Sequence, residues 1–479
     1  MEKHSDLSQF RQPRQLSQFN QMAGDRPNLA SSSGSSSVAR SAGIDWTREL
    51  SEKRNSTAGC SPDSGLALNA SPIGSLDSSL TLSGVGSTRR GFLNAVLVSG
   101  LLAVDPLRSA EGLADGLIRE GNALAEDPLD FPDPATGPGA GSYSIAVLPD
   151  TQNYAKFARN QPIFEGMTDW LLRHRQAWNI QYVLHVGDFV EQNDIEEGGG
   201  RGWGDQNSEQ QWFSAKRALS RLDGHLPVLY ATGNHDYGIR NAEDRRTRFN
   251  NYFGLLDNPL VCDGRGEGMW LESAPNSFGA TTLENAAYLF QPPFGRRQLI
   301  LCLEWGPRAA IVQWARDLLQ RPEHQEDLAI LNVHSFLHDD NQRDGQRQRP
   351  GNPHTYGTTN NGDQAGDTSD GEDLWRNLVQ PAGQLELVIC GHVMGRHIGY
   401  RKDPNANGRT VHQILFNAQG LGGGSDERGN GGDGWLRLMT FEGDGRRITT
   451  RTFSPFFWGN QQDPWNRHPE HSFRIQLDP

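Results

Sequence analysis

Five short stretches of this 479-residue chain each place a side chain able to bind a metal or move a proton just after an apolar run. They are "LPDTQ", with Asp150 and Gln152; "VGD", with Asp188; "GNHD", with Asn234, His235 and Asp236; "NVHSF", with His334; and "CGH", with His392. Taken singly they say little. A Gly-Asp pair is usually a turn, and a histidine near a strand end is more often a satisfied polar residue than a ligand. Taken jointly, five loops deliver carboxylates, amides and imidazoles in one order along the chain, and such mixed oxygen and nitrogen donors suit divalent transition metals.

Delivery to one place requires strands that end at one edge. From about residue 142 the chain alternates short β-branched runs with amphipathic stretches, the pattern of a layered α/β arrangement. "SIAVLPD", "YVLHVGD" and "LPVLYATGNHD" read as strands, separated by the helical stretches "FEGMTDWLLRHRQAW", with Met167, Trp170, Leu171 and Trp178 on one side, and "EQQWFSAKRALSRL". Right-handed crossovers bring such strands into one sheet, with Asp150, Asp188 and Asn234 beyond a common edge, where ligands of α/β sheets bind. "RQLILCLEW", "EDLAILNVHSF" and "LELVICGH" follow, with the helix "AAIVQWARDLLQ" after the first of them. The tail stretches "TVHQILFNAQ", "GWLRLMTFEG" and "RRITTRTFS" alternate with period 2 and are expected to be antiparallel strands completing a second sheet. A long polar segment between Asp339 and Gly371 is either disordered or functional, for instance as a lid over the site. "NGGDGW" reads as a tight turn, and Cys302 and Cys390, within apolar runs, as small core residues.

In their order and spacing these motifs resemble the calcineurin-like metallophosphoesterases, whose signature runs D-x-H, G-D, G-N-H-[DE], a later H and G-H-x-H. The resemblance extends from about Ser142 to the final strand and looks closest to an exported bacterial subset with D-T-Q at the first motif. It implies an α/β fold, a two-sheet β-sandwich flanked by helices in four layers (αββα). It also implies two divalent metal ions, with Asp188 as the bridge, Asn234, His334 and His392 completing one site, and Asp150 and Gln152 serving the other. Manganese, iron, zinc, magnesium and calcium all remain candidates. His235 would face the substrate phosphate, with Asp236 orienting its ring. Two cations about 3.5 to 4 Å apart clamp both the attacking and the leaving oxygen of an in-line displacement.

Two departures from the family pattern fall on one metal site. Gln152 stands where the first motif has histidine, and Met394 stands where G-H-x-H has its second. A site of Asp150, Asp188 and the Gln152 amide oxygen favours Mn, Mg, Ca or Fe(II) over Zn. Gln152 could instead hydrogen-bond without touching a metal, and His397 or His412 could replace the missing histidine.

The front of the chain has another character. Residues 1–86 are Ser- and Gln-rich without an apolar period and are expected to be disordered. In residues 87–110, Arg89-Arg90 precede a short apolar run closed by proline, a pattern that resembles a twin-arginine export signal; a short buried helix is the alternative. That run is too short to span a bilayer. Residues 111–141 read as linker and 142–479 as the phosphoesterase domain. A net charge of -13 argues against a polyanion-binding surface. The expectation is thus an exported, periplasmic or secreted hydrolase of a small-molecule or lipid phosphate ester, using the twin-arginine machinery. A catalytically impaired phospho-ligand binding protein and a one-metal hydrolase are the alternatives.

Overall fold

The computed structural model describes residues 128–198, 203–360 and 367–479. The disordered extension and the export signal expected over residues 1–110 lie outside them, as does the first part of the expected linker. Its last part, residues 128–141, packs on the domain: Phe131 lies against Trp465 with ring centroids 5.7 Å apart, and the Trp178 indole donates to the Pro134 carbonyl.

The strands are β1 (Tyr143–Leu148), β2 (Ile180–His185), β3 (Val228–Tyr230), β4 (Trp270–Pro275), β5 (Thr281–Phe290), β6 (Gln298–Cys302) and β7 (Leu328–Asn332). They continue as β8 (Leu385–Cys390), β9 (Ile398–Pro404), β10 (Thr410–Phe416), β11 (Leu436–Phe441), β12 (Arg447–Phe453), β13 (Trp465–Asn466) and β14 (Phe473–Gln476). Among the described residues they form two mixed seven-stranded sheets. The first runs β13-β12-β11-β1-β2-β3, with β14 also on β12; the second runs β4-β5-β6-β7-β8-β10-β9. Strands β1, β2 and β3 are parallel, as are β6, β7, β8 and β10. Each parallel set therefore ends at one edge, as the α/β sandwich expected from the sequence requires.

One expectation is corrected. The tail strands do not all complete the second sheet: β10 does, but β11 and β12 join the first, β11 pairing antiparallel with β1 from Tyr143↔Phe441 to Val147↔Arg437. Period-2 alternation says that a strand has two faces, not which partner it finds.

The helices α1 (Gln161–His174) and α2 (Ser208–Leu219) cover the first sheet, and α3 (Ala309–Leu319) covers the second. A capping box starts α2: the Asn207 side chain accepts from the Gln210 backbone N–H while Gln210 accepts from that of Asn207. Helix α1 closes at His174, so Trp178 is buried from the turn beyond it and not from the helix face. Cys302 and Cys390 are fully buried and unpaired, as small core residues.

Behind the Asp188 loop, Trp212 of α2 packs among Phe189, Phe249, Tyr252 and Phe253, and its indole N–H reaches the Asn193 carbonyl at 3.1 Å. Trp212→Ala should cost about 3–5 kcal/mol in urea unfolding, through lost burial and the cavity it leaves. A loss below about 1 kcal/mol would mean that the cluster does not support the fold.

Candidate metal centre

The loops after β1, β2, β3, β7 and β8 meet at one edge and bring Asp150, Gln152, Asp188, Asn234, His334 and His392 together. Asp188 is the hub. Its Oδ2 accepts from Gln152 Nε2 at 3.0 Å and lies 3.1 Å from His334 Nε2, while its Oδ1 accepts the His235 backbone N–H at 2.9 Å. His334 Nε2 is also 3.1 Å from Asn234 Oδ1. Asp188, His334 and His392 offer donor atoms that all lie within 4.8 Å of one another.

Close approach explains the glycines in these motifs. A Cβ on Gly233 would stand 2.1 Å from Asp188 Oδ1, and one on Gly391 2.2 Å from Asp150 Oδ1. Any larger residue would push a carboxylate out of the edge. Two ligand candidates are themselves held in left-handed backbone, Asp188 at φ 55° and His392 at φ 72°, a strain that clusters where function demands it.

Each imidazole is fixed by a main-chain carbonyl. His334 Nδ1 donates to Val186 at 2.7 Å, His392 Nε2 to Gly351 at 2.8 Å and His235 Nδ1 to Glu191 at 2.8 Å. One nitrogen of each ring is thereby left for a cation or a proton, the usual support of a metal-binding histidine. Trp305, fully buried, backs His334 and His392 with ring centroids 5.7 and 5.0 Å away.

Electrostatics point the same way. Burial pushes the Asp150 carboxyl up to about 7, against the pull of His334 and with a further push from Asp188. Burial and then Asp188 raise Asp236, also to about 7. Asp188 moves the other way: burial would raise it, but His334 and His235 hold it well below the usual carboxylate range. His334 is raised to about 9, the carboxylates of Asp188 and Asp150 outweighing burial. His392 is pushed down to about 3 by burial and by the charge of His334. Burial and the neighbouring Asp188 thus work against the charged forms of Asp150 and Asp236, and a divalent cation at this edge would favour them.

The residues fit divalent cations. Gln152 is 1% exposed and its Oε1 has no hydrogen-bond partner, although its Nε2 does. A buried amide oxygen left bare at a carboxylate cluster is a ligand atom for a hard cation.

Some expectations from the sequence change. Asp236 does not touch the His235 ring. Its carboxylate accepts the backbone N–H groups of Asp188, Phe189 and Gly233, so it braces the Asp188 loop, and the Glu191 carbonyl orients the ring instead. Of the two spare histidines, His412 has both ring nitrogens engaged, by Tyr400 and the Gln476 carbonyl, whereas His397 bonds the Asn417 carbonyl through Nδ1. Met394 itself is 52% exposed. Around Asp150 the structure places amides: Asn417 Nδ2 donates at 2.8 Å and Gln419 Nε2 at 3.3 Å. Both were missed in the sequence, yet Asn417 directly follows β10 and obeys the same strand-end rule as the other five. The buried His185 was also passed over; its Nδ1 accepts from the Gly187 N–H and its Nε2 faces the Thr151 hydroxyl at 3.0 Å, just behind the site.

A model of the calcineurin-like phosphoesterase family matches residues 143–396, more than half of the chain, and the protein belongs to that family. Membership implies metal-dependent phosphoester hydrolysis. Among individual proteins, it is 26% identical over 385 residues to the uncharacterized protein YvnB of Bacillus subtilis (strain 168), covering 77% of this chain. The chain spans 24% of that protein's length. Among solved structures it is similar to GAP50, the anchor in the inner membrane complex of Plasmodium, at 9% identity and a TM-score of 0.34, over 71% of this chain and 90% of the other. So low a score has no bearing on the fold.

Gly391→Ala should displace Asp150 and weaken manganese binding on the order of tenfold or more, measured by calorimetry, with the far-UV spectrum unchanged. An unaltered isotherm would place the ion away from Asp150.

Proposed function

We propose that this domain hydrolyses a phosphate mono- or diester at two divalent cations held in unequal sites. The observation that supports this reading is the position of Asp188, whose Oδ2 is in contact with both Gln152 and His334. His334, His392 and Asn234 would hold one cation with Asp188; Asp150 and the bare Gln152 Oε1 would hold the other. When bound, such cations supply a water of lowered pKa and neutralise charge developing on phosphoryl oxygens.

The chain's own residues supply the rest. The His235 ring is fixed by the Glu191 carbonyl, and its backbone N–H by Asp188, so its Nε2 is the atom available to the leaving oxygen. Burial works against the charged ring, but Asp188 and then Glu191 outweigh it and raise its pKa. A ring that keeps its proton can give it to the departing alkoxide. Asp236 positions the Asp188 loop and so acts at one remove from the substrate.

The amide-rich surroundings of Asp150 favour one variation, a hydrolase that works with a single tight cation beside His334 and His392. Small-molecule or lipid phosphate esters, delivered outside the cytoplasm after twin-arginine export, complete the proposal; the support for export is the Arg89-Arg90 motif alone.

Hydrolysis of nitrophenyl mono- and diesters with added manganese provides the test. His235→Asn should lower kcat by roughly 10²–10⁴-fold with metal binding intact, and Asp188→Asn should abolish both turnover and metal uptake without unfolding. Titration calorimetry should give one tight and one weaker step; a single step with full activity would select the one-cation form. No turnover with any divalent metal, while a phosphorylated ligand still bound, would make the domain a binding protein.

A further inference from the structure

The layer between the two sheets holds a cation, Arg437, that has no counter-charge among the described residues. Arg437 lies within β11, opposite Val147 of β1 and Thr452 of β12, on the face that Tyr143 and Phe441 share as a stacked pair. Its side chain is 1% exposed. The guanidinium sits over the Phe416 ring at 4.4 Å and the Phe473 ring at 5.6 Å, and Nε reaches the Thr452 hydroxyl at 3.4 Å. Nη1 and Nη2 have no hydrogen-bond partner, and among the described residues no carboxylate forms an ion pair with them.

Two neighbouring groups are bare in the same way. The Thr450 hydroxyl, two residues before Thr452 on the same face of β12, is fully buried without a partner. His471 Nδ1 is also buried and unpartnered, and the His471 carbonyl accepts from Thr452 Oγ1 at 2.8 Å, which puts the residue beside the guanidinium. Burial, and then the charge of Arg437, push the His471 ring down to about 3, so it is neutral and brings no second positive charge.

A guanidinium does not escape burial by giving up its proton. Burial lowers Arg437 only to about 9, so it remains a cation at neutral pH. An isolated buried charge is among the most costly features a fold can carry, and it persists only when paired. The aromatic faces offset part of that cost, but they leave four guanidinium N–H bonds unused.

We propose that Arg437, with the Thr450 hydroxyl and His471 Nδ1, binds a small monovalent anion of the halide class between the two sheets. One cation balances one negative charge, and a site this enclosed, flanked by phenyl rings, suits a compact polarisable ion and not a phosphoryl group. The anion would tie β11 and β12 to β1 and to the end of β10. Those strands lead to Asp150 and Asn417, so it would stiffen the amide-rich side of the metal centre from below. The inference does not depend on the hydrolytic reading, and neither experiment below measures turnover.

Crystals of the full chain grown with sodium bromide as the only halide should show an anomalous bromide peak within hydrogen-bonding distance of the Arg437 Nη atoms. Ordered water alone at that position would overturn the proposal. In solution, Tm should rise by roughly 5 °C over a hundredfold increase in bromide at constant ionic strength made up with isethionate, and Arg437→Met should remove that dependence. A Tm that responds equally to bromide in the variant, or that ignores bromide in the parent, would also overturn it. Should Arg437→Met fail to fold, the bromide map of the parent protein decides.

Discussion

Three carboxylates, Asp150, Asp188 and Asp236, are buried to 1% exposure or less at one sheet edge, and the crowding of their charge is the constraint on which the rest of this edge depends. Like charges in a poorly hydrated place repel strongly, and the chain relieves only part of the strain. His334 sits against Asp188, Asp236 absorbs backbone N–H groups, and Asp150 takes amide and main-chain donors. What remains is a cluster of buried oxygen donors of the kind that suits a divalent cation, the bare Gln152 oxygen among them.

Holding those groups at contact distance shapes the surrounding chain. Glycine stands at 233 and 391 because a Cβ would strike the carboxylates of Asp188 and Asp150, and carbonyls from Val186, Glu191 and Gly351 turn three imidazoles the right way. The last of these gives the long polar segment after Asp339 a structural task. By presenting the Gly351 carbonyl to His392, that segment sets which ring nitrogen faces the centre, so its docking and the quality of the metal site are linked.

The two sheets contribute unlike halves. The first supplies Asp150, Asp188 and Asn234; the second supplies the imidazoles of His334 and His392 and the amide of Asn417. His334 and His392 gather imidazoles beside Asp188, whereas the surroundings of Asp150 are amides, Asn417 and Gln419, that reach across from the second sheet, with Met394 turned out to solvent. Amides in place of histidine on the Asp150 side alone change donor hardness there, which is the physical basis of the proposal that two cations would be held unequally.

The strand-end positions of Asp150, Asp188, Asn234, His334 and His392 were legible in the sequence, because an apolar run followed by a polar turn is a local signal and parallel strands must end at a common edge. The same alternation pointed to a layered α/β arrangement, and the αββα layering was implied by the family resemblance. What the sequence could not reveal was set by contacts between residues far apart in the chain. The pairing of β11 with β1 depends on which exposed strand flank finds which, the bracing of the Asp188 loop by Asp236 depends on a carboxylate meeting a backbone N–H 48 residues away, and the placing of Asn417 beside Asp150 spans 267. His412 had the right chemistry for the missing histidine, but both its ring nitrogens are engaged elsewhere. Residue type is written in the chain, but the direction a side chain faces is decided only when the sheets close upon one another.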